Sequence, residues 1–218
     1  MKRIFCLFAF TVALCTSVAY PVDVSMGIKA GLNLGTIYGE YINEEYVGLD
    51  KDFQPGFVTG LTVQIKPGDM FCFVPEIIYS MKGLSVDYSI IGMQQTRKSL
   101  YSYLEFPLNV GLIIPAGTGI FPRVYTGPVF GFLMSTKTID ELGGHTYEHD
   151  VSKGAAQFEF SMDFGGACDI DLGTGLLLID IRYTLGLTTL DGNTADKKEQ
   201  YRTGTFSMMA GWGFKLTH

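Results

Sequence analysis

The chain has 218 residues, of which 47% are hydrophobic and 13% aromatic, and its formal net charge at pH 7 is −6. An acidic chain of this kind lacks the clustered Lys and Arg residues that bind a phosphate backbone, so nucleic acid is excluded as a partner. The mean hydropathy of +0.22 is high, yet no segment after residue 19 is long and apolar enough for a transmembrane helix. The apolar residues must belong to another kind of structure.

The first 19 residues have the pattern of a secretory signal peptide. Two basic residues precede an apolar run that begins at Ile4, and small residues at Ser17 and Ala19 precede the predicted cleavage site. An N-terminal membrane anchor is the alternative, but the run is shorter than the roughly 20 residues that span a bilayer as a helix. The sequence thus predicts a signal peptide over residues 1–19 and an exported domain over residues 20–218.

The segment GIKAGLNLG, residues 27–35, alternates bulky apolar side chains with Gly, Lys and Asn. This alternation predicts a β-strand, because successive side chains leave opposite faces of a pleated chain. Seven later segments repeat the pattern, with lengths near the roughly 9–11 residues that a tilted strand needs to cross a bilayer. These segments are 57–66, 71–82, 104–112, 123–132, 158–165, 177–186 and 206–216.

The connections between these segments alternate in length. Three are tight turns rich in Gly and Pro, with the sequences KPGD, PAGTG and LGTG. The others are long and polar and cover residues 35–55, 83–98, 135–154 and 188–201. Short turns at one end and long loops at the other are typical of outer-membrane barrels. The sequence therefore predicts an all-β fold, an eight-stranded antiparallel up-and-down transmembrane β-barrel with short periplasmic turns and long extracellular loops.

The size of such a barrel decides which face of each strand points inward. An eight-stranded barrel has an interior just wide enough to be filled by side chains, so it cannot hold the large apolar residues of all eight strands. These residues are predicted to contact lipid, and they include Phe160, Phe164, Ile179, Trp212 and Phe214. A secreted soluble barrel of the lipocalin kind, with its apolar faces inside, is the alternative.

The opposite faces carry six acidic and six basic residues among Gly, Ser and Thr. A buried charge is costly unless it is paired, so this balance predicts a salt-bridged lumen. The acidic residues are Glu76, Glu105, Glu159, Asp163, Asp169 and Asp180, and the basic ones are Lys29, Lys66, Lys82, Arg123, Arg182 and Lys215. The predicted polar network centres on Lys29, Glu76, Glu105, Arg123, Asp163, Asp180 and Arg182. For Glu76 and Glu105, structural pairing with cations is favoured over an acid/base role in catalysis.

One polar segment carries residue types that hold metals or activate water. The sequence HTYEHD places His145, Glu148, His149 and Asp150 together in the third long connection. The spacing is not a specific zinc signature, and no partner set is recognisable on another loop. A solvated loop tip is the favoured interpretation, so no metal site, cofactor or catalytic residue is predicted.

Two cysteines remain in the exported domain, where a disulfide can form. Strand parity opposes one. Cys72 shares its face with Glu76 and points into the lumen, whereas Cys168 shares its face with Phe164 and points at lipid. The sequence therefore predicts two free thiols.

Six segments follow one another along the chain as GIKAGLNLG, PEIIYSMKG, YLEFPLNVG, YTGPVFGFLM, DIRYTLGLTTL and GWGFKL. They resemble the PorT-like outer-membrane β-barrel family, which is common in Bacteroidetes, over nearly the whole exported domain. The resemblance implies a location in the outer membrane of a Gram-negative cell. The implied partners are outer-membrane lipid, the barrel-insertion machinery and proteins of envelope assembly or secretion, because the family's named member serves protein secretion.

The function predicted on these grounds is that of an integral outer-membrane protein without catalysis, whose barrel is a scaffold that presents surface loops. Two alternatives stay open. One is a narrow pore for small solutes, and the other is a hydrolase of lipid or protein with its site at the barrel rim.

Overall fold

The computed structural model describes residues 22–38, 50–90, 93–114, 116–142, 145–150, 156–189 and 202–216, so the predicted signal peptide lies outside the described residues. The strands of these ranges are β1 Val22–Tyr38, β2 Asp50–Pro67, β3 Phe71–Ile90, β4 Met93–Ile113, β5 Ile120–Leu142, β6 His145–Asp150, β7 Phe158–Asp171, β8 Leu176–Gly186 and β9 Arg202–Lys215. No helix within them is long and apolar enough to cross a membrane.

The strands form one closed antiparallel sheet. Its order is β4, β3, β2, β1, β9, β8, β7, β5, and the pairing of β4 with β5 closes the ring. The short strand β6 pairs with β5 alone among the described strands and stands outside the ring. The predicted eight-stranded antiparallel barrel is therefore confirmed, with a ninth strand added on the side of the long connections.

The register gives the barrel a stagger of ten residues. Phe57 of β2 faces Leu32 of β1, and a path along paired residues around the ring returns to β2 at the level of Pro67, from residue 57 to residue 67. A stagger of this kind requires strands that tilt by about 35–45° from the barrel axis. Tilted strands bring inward side chains from distant parts of the chain to one height in the lumen.

The three short turns follow from glycines at positions that side chains disfavour. Four turn glycines have φ between 80° and 100°: Gly68, Gly117, Gly119 and Gly173. This is the left-handed region, which glycine adopts without the steric penalty that other residues have. These glycines allow the chain to reverse direction within the few residues of the KPGD, PAGTG and LGTG turns. The predicted short turns are confirmed, and the first and last described strands both have an end at this side of the barrel.

Two of the predicted long loops contain strand instead. β3 continues to Ile90 and β4 begins at Met93, so most of residues 83–98 is a hairpin, and β5 and β6 form another within residues 135–154. The reason is physical: beyond the bilayer both faces of a strand meet water, so pairing satisfies the backbone without any apolar alternation. The strands on this side are accordingly longer than the sequence pattern predicted.

Burial alternates along the strands of the ring and defines an inside and an outside. In β1, Ile28 is 61% exposed and the next residue, Lys29, is 2% exposed. Among the predicted lipid-facing residues, Phe164, Ile179 and Phe214 are exposed on the outer wall. The other two, Phe160 and Trp212, are half-buried beside neighbouring side chains on the same wall. The outer wall is thus apolar and the lumen holds the charged residues.

Candidate functional site

The middle of the lumen holds a central cluster of five charged residues: Lys29, Glu76, Asp163, Asp180 and Arg182. The guanidinium of Arg182 lies 2.7 Å from Glu76 and 3.0 Å from both Asp163 and Asp180. The amine of Lys29 lies 2.5 Å from Glu76 and 2.8 Å from Asp180. All five side chains are buried. Each of the two cations therefore links carboxylates from different strands.

Neutral donors complete the central cluster. The Tyr125 hydroxyl donates to Asp180 Oδ1 at 2.7 Å. The Thr184 hydroxyl and the Asn109 amide both donate to Asp163, at 2.6 and 3.2 Å. Charge-assisted hydrogen bonds of this kind are stronger than neutral ones, and they fix the carboxylates in place.

A glycine makes room for the Tyr125 ring in this cluster. A side chain at Gly165 would place its Cβ 2.5 Å from the ring carbon and the hydroxyl of Tyr125. A Cβ at Gly186 would likewise lie 2.8 Å from Glu159 Oε1. Large polar side chains can then cross the narrow lumen.

An upper cluster of Lys82, Glu105 and Glu159 lies nearer the long connections. The Lys82 amine is 2.6 Å from Glu105 and 3.1 Å from Glu159. Glu159 also accepts hydrogen bonds from the hydroxyls of Ser161 and Thr203. A single cation thus neutralises two buried carboxylates. Glu105 depends on Lys82 more than Glu159 does, because Glu159 also has the two hydroxyl donors.

A lower cluster of Lys66, Arg123 and Asp169 lies nearer the short turns. Arg123 forms a close ion pair with Asp169, while the Lys66 amine is 3.8 Å from the same carboxylate. That amine also lies 4.8 Å from the centre of the Phe121 ring, within the range of a cation–π contact. Here two cations share one carboxylate.

The structure changes the predicted balance of six acidic and six basic residues. Lys215 lies at the barrel mouth, where its side chain is 46% exposed and forms an ion pair with Asp171 at a short turn. A hydrogen bond from the Lys215 amine, together with one from the backbone N–H of Gly173, lowers the pKa of Asp171 below its usual value. Within the described lumen, six carboxylates therefore face five cations.

The lumen is closed at two heights, by an apolar layer and by close packing of the central cluster. An apolar layer of Ile37, Leu84, Val86 and Tyr103 lies at the end of the long connections, and Tyr103 is also in contact with the Lys82 amine. Beside the central cluster, the space that Tyr125 and its neighbours enclose admits no water-sized sphere. The barrel interior is therefore a packed polar core at this height.

Beyond the apolar layer the wall continues as an extracellular sheet, which we define as residues 87–90 of β3, 93–100 of β4, 135–142 of β5 and the whole of β6. Ion pairs across neighbouring strands join its members, Arg97 with Asp140 at 2.6 Å and Lys137 with Glu148 at 2.6 Å. Tyr147, in the middle of β6, is 52% exposed.

The HTYEHD segment is the strand β6 and not a loop tip, which corrects the sequence interpretation. Its backbone pairs with residues 137–142 of β5, so His149 faces Thr138 and Glu148 faces Ile139. Neighbouring residues of a strand point to opposite faces, which separates His149 from Glu148. Across the described part of the chain, no three His, Cys, Asp or Glu side chains are grouped so as to hold a metal ion.

The two cysteines occupy different faces and are both free. Cys72 is buried in the lumen, packed with Val74 and Ile113. Cys168 is half-buried on β7, one residue before the inward Asp169. In the ring, β4 and β5 separate β3 from β7.

Sequence reasoning missed the strand β6. The segment has six residues without apolar alternation, so no pattern marks it as a strand. The members of the lumen network were named from the sequence, but its division into three clusters was not, because that division depends on the stagger of the barrel: Glu105 lies in the upper cluster and Arg123 in the lower one.

Comparison with known proteins identifies the architecture. Residues 21–192 match the family described as outer membrane protein beta-barrel domain. A search of curated proteins found no match. Similar solved structures include the Ail attachment invasion locus protein of Yersinia pestis, at 11% identity and a TM-score of 0.41, over 88% of this chain and 99% of that one. OprG from Pseudomonas aeruginosa is 12% identical, with a TM-score of 0.44, over 91% and 98%. Neisserial surface protein A is 11% identical, with a TM-score of 0.43, over 88% and 97%.

Proposed function

Because the chain belongs to the outer membrane protein beta-barrel domain family, we propose that it is a scaffold without catalysis, which binds a partner protein through its extracellular sheet. The barrel places the protein in the outer membrane, with the sheet on the side of the long connections. The observation that carries the proposal is the ninth strand: among the described strands, β6 pairs on one side only. No described strand pairs with its other edge, and we propose that the backbone donors and acceptors of this edge receive the partner.

An exposed strand edge is a binding element for an extended peptide. Main-chain hydrogen bonds supply the affinity, and the side chains of alternate residues supply the specificity. Natural sheets usually protect such an edge with charges or keep it short. β6 is short and carries Glu148, which binds Lys137 within the sheet, while Tyr147 stays exposed beside it. An exposed aromatic residue at the edge is a suitable anchor for a partner.

The support of the sheet favours a scaffold. Its strands β3, β4 and β5 are continuous with the barrel wall, and the charged clusters of the lumen link that wall across its interior. A rigid support lowers the entropy that a partner loses on binding. The position of β6 relative to the membrane is thereby fixed by strands that run through the bilayer.

The filled lumen supports a scaffold over the narrow pore. The central cluster has no room for a water-sized sphere at the height of Tyr125, and the apolar layer adds a second closure. Single-channel recording in planar bilayers separates the two functions. A scaffold gives no unitary conductance, whereas steady ohmic steps from the purified barrel would establish the pore.

The engagement of the acidic groups supports a role without catalysis. The lumen carboxylates of Glu76 and Glu105 are buried and lie against cations, and Glu148 of β6 lies against Lys137. A general base must reach its substrate within hydrogen-bond distance, and the burial of Glu76 and Glu105 does not allow this. Replacement of both His145 and His149 by Ala tests the rim hydrolase: loss of a measured lipase or protease activity in the double variant would establish it.

The resemblance to the PorT-like family supplies a class of partner. We propose that the partner is a protein of the secretion or envelope-assembly systems of a Bacteroidetes-type cell. In this proposal the partner supplies an extended segment, because a sheet edge binds such a segment through main-chain hydrogen bonds.

Site-specific photo-crosslinking in intact cells tests the proposal. Benzoylphenylalanine in place of Tyr147 should give an ultraviolet-dependent adduct with one defined protein. The matched control is the same residue in place of Ile179, which is similarly exposed but lies on the lipid-facing wall. The control should give no protein adduct. Adducts of equal yield at both positions, or none at position 147, would contradict the proposal.

A further inference from the structure

The barrel mouth at the short turns contains a cavity of ≈ 580 Å³. Residues of two short turns, Gly68 and Gly117 among them, form its rim. Its deeper part has an apolar lining of Ile113, Phe121 and Leu176. Volumes of about 300–1,000 Å³ with mostly apolar walls and a few polar groups are those of small-molecule sites. The cavity lies at the opposite end of the barrel from the extracellular sheet.

The charge behind this cavity differs in sign from that of the rest of the lumen. The central and upper clusters each have one more carboxylate than cations. The lower cluster has the reverse, because Lys66 and Arg123 share Asp169. Arg123 holds Asp169 closely, so Lys66 is the less closely compensated of the two cations. The other carboxylate near Lys66 is that of Asp23, which faces it across β1 and β2 but is exposed to water at the mouth.

The position of Lys66 directs this charge into the cavity. Its side chain is 14% exposed and lines the cavity wall. The 3.8 Å between the Lys66 amine and the Asp169 carboxylate is too long for a hydrogen bond. The amine therefore has an ion-pair contact with Asp169 and a cation–π contact with the Phe121 ring, neither of which uses its N–H donors fully. A mostly buried ammonium with donors to spare gains from an anion that can accept them.

The other charges at the mouth narrow the choice of ligand. Asp23 and Asp69 are exposed at the rim, so their carboxylates repel an anion at the mouth, although water and salt weaken this repulsion. Lys215 is paired with Asp171, so its charge is already compensated. The rim therefore disfavours multiply charged anions, while the depth of the cavity favours one negative charge beside an apolar wall.

We propose that this cavity binds a small organic monoanion with an apolar body, whose carboxylate contacts the Lys66 amine while the body packs on Phe121, Ile113 and Leu176. The site is separate from the proposed partner surface and does not depend on it. Its occupant reaches it from the periplasmic side of the barrel.

Calorimetric titration of the protein in phosphatidylcholine nanodiscs tests this site, with 4-phenylbutyrate as the probe and empty nanodiscs as the blank for partitioning. The expected result is saturable binding with one site per barrel. The neutral amide of the same acid is the control ligand and should bind at least about tenfold more weakly, because it lacks the charge that Lys66 compensates. Absence of saturable binding, or equal affinity of acid and amide, would overturn the proposal.

Two variants separate a site from general attraction to a basic residue. Lys66→Met keeps the length and apolar stem of the side chain and should weaken binding at least about tenfold. Lys215→Met is the matched control in the same cavity and should change affinity by less than about threefold. Equal losses in the two variants would overturn the assignment to Lys66. The heat-dependent shift in gel mobility of each folded barrel verifies that both variants fold.

Discussion

Arg182 Nη1 lies 2.7 Å from Glu76 Oε2, although the two residues belong to strands on opposite sides of the barrel. β8 carries the arginine, β3 carries the glutamate, and β9, β1 and β2 separate them in the ring. The ion pair therefore spans the lumen and ties one wall to the other. Interactions between adjacent strands cannot do this, since they are already defined by the backbone register.

Removal of this link should be among the most damaging single changes in the lumen. Arg182→Ala leaves Glu76, Asp163 and Asp180 with the single cation Lys29, and breaking a buried pair costs about 3–5 kcal/mol. The free energy of unfolding in urea, measured for the barrel folded into lipid vesicles, checks this value. Lys215→Ala is the control, because its exposed pair with Asp171 should contribute about 0–1 kcal/mol. A loss below about 1 kcal/mol for Arg182→Ala would mean that water fills the lumen.

The orientation of the wall has its own test on β8. Ile181 is the middle residue of that strand and Leu187 follows its extracellular end, and the two are similarly exposed, 41% and 37%. A charge at the bilayer midplane costs about 2–4 kcal/mol, and one near the interface about 0–1 kcal/mol. Ile181→Arg should therefore destabilise the folded barrel in vesicles by the larger amount and Leu187→Arg by the smaller. Equal costs would contradict the depth and face assigned to this strand.

Much of the wall was predictable from the sequence, because parity is a local property. The alternation in β1 shows that Lys29 and Ile28 lie on opposite faces, and the small interior of an eight-stranded barrel then places Ile28 outside and Lys29 inside. The contacts of Lys29 with Glu76 and Asp180 were not predictable, because they require the ten-residue stagger of the ring. β6 was missed for a different reason: a strand with water on both faces leaves no period-two signal.

The upper cluster allows a test of charge compensation. Lys82→Met leaves Glu105 and Glu159 buried without a cation, at a cost of about 3–5 kcal/mol. Glu159 keeps its two hydroxyl donors, so Glu105 is the group left without a partner. Addition of Glu105→Gln to Lys82→Met should then restore more than about 1 kcal/mol.

A double-mutant cycle in vesicles measures this coupling, because both single variants and the double variant report the same unfolding reaction. Glu105→Gln by itself should destabilise the barrel, since it removes a carboxylate from Lys82. Strictly additive effects of the two substitutions would show that Lys82 and Glu105 do not interact.

The exposed pair at the barrel mouth should be visible in the titration of Asp171. Hydrogen bonds from Lys215 and the Gly173 N–H lower the pKa of this carboxyl in the folded state. A lowered pKa means that the ionised form stabilises the fold above the pKa of the unfolded chain, and that this contribution is lost as the pH falls through the folded-state pKa. Carboxyl carbon NMR should show the pKa of Asp171 rising towards its usual value in Lys215→Met. An unchanged titration would contradict the contact.

The last prediction concerns the two cysteines in an oxidising compartment. Cys72 points into the lumen from β3, and Cys168 lies on the outer wall of β7, with β4 and β5 between the two strands. A disulfide needs α-carbons within roughly 7 Å and side chains that converge, which opposite faces of non-neighbouring strands do not provide. Both thiols should therefore stay free even when the purified barrel is treated with an oxidant. Alkylation at low pH during denaturation, followed by mass spectrometry without reductant, should find both cysteines modified. A peptide in which Cys72 is linked to Cys168 would show that either the face of one strand or the order of the strands differs from the structure.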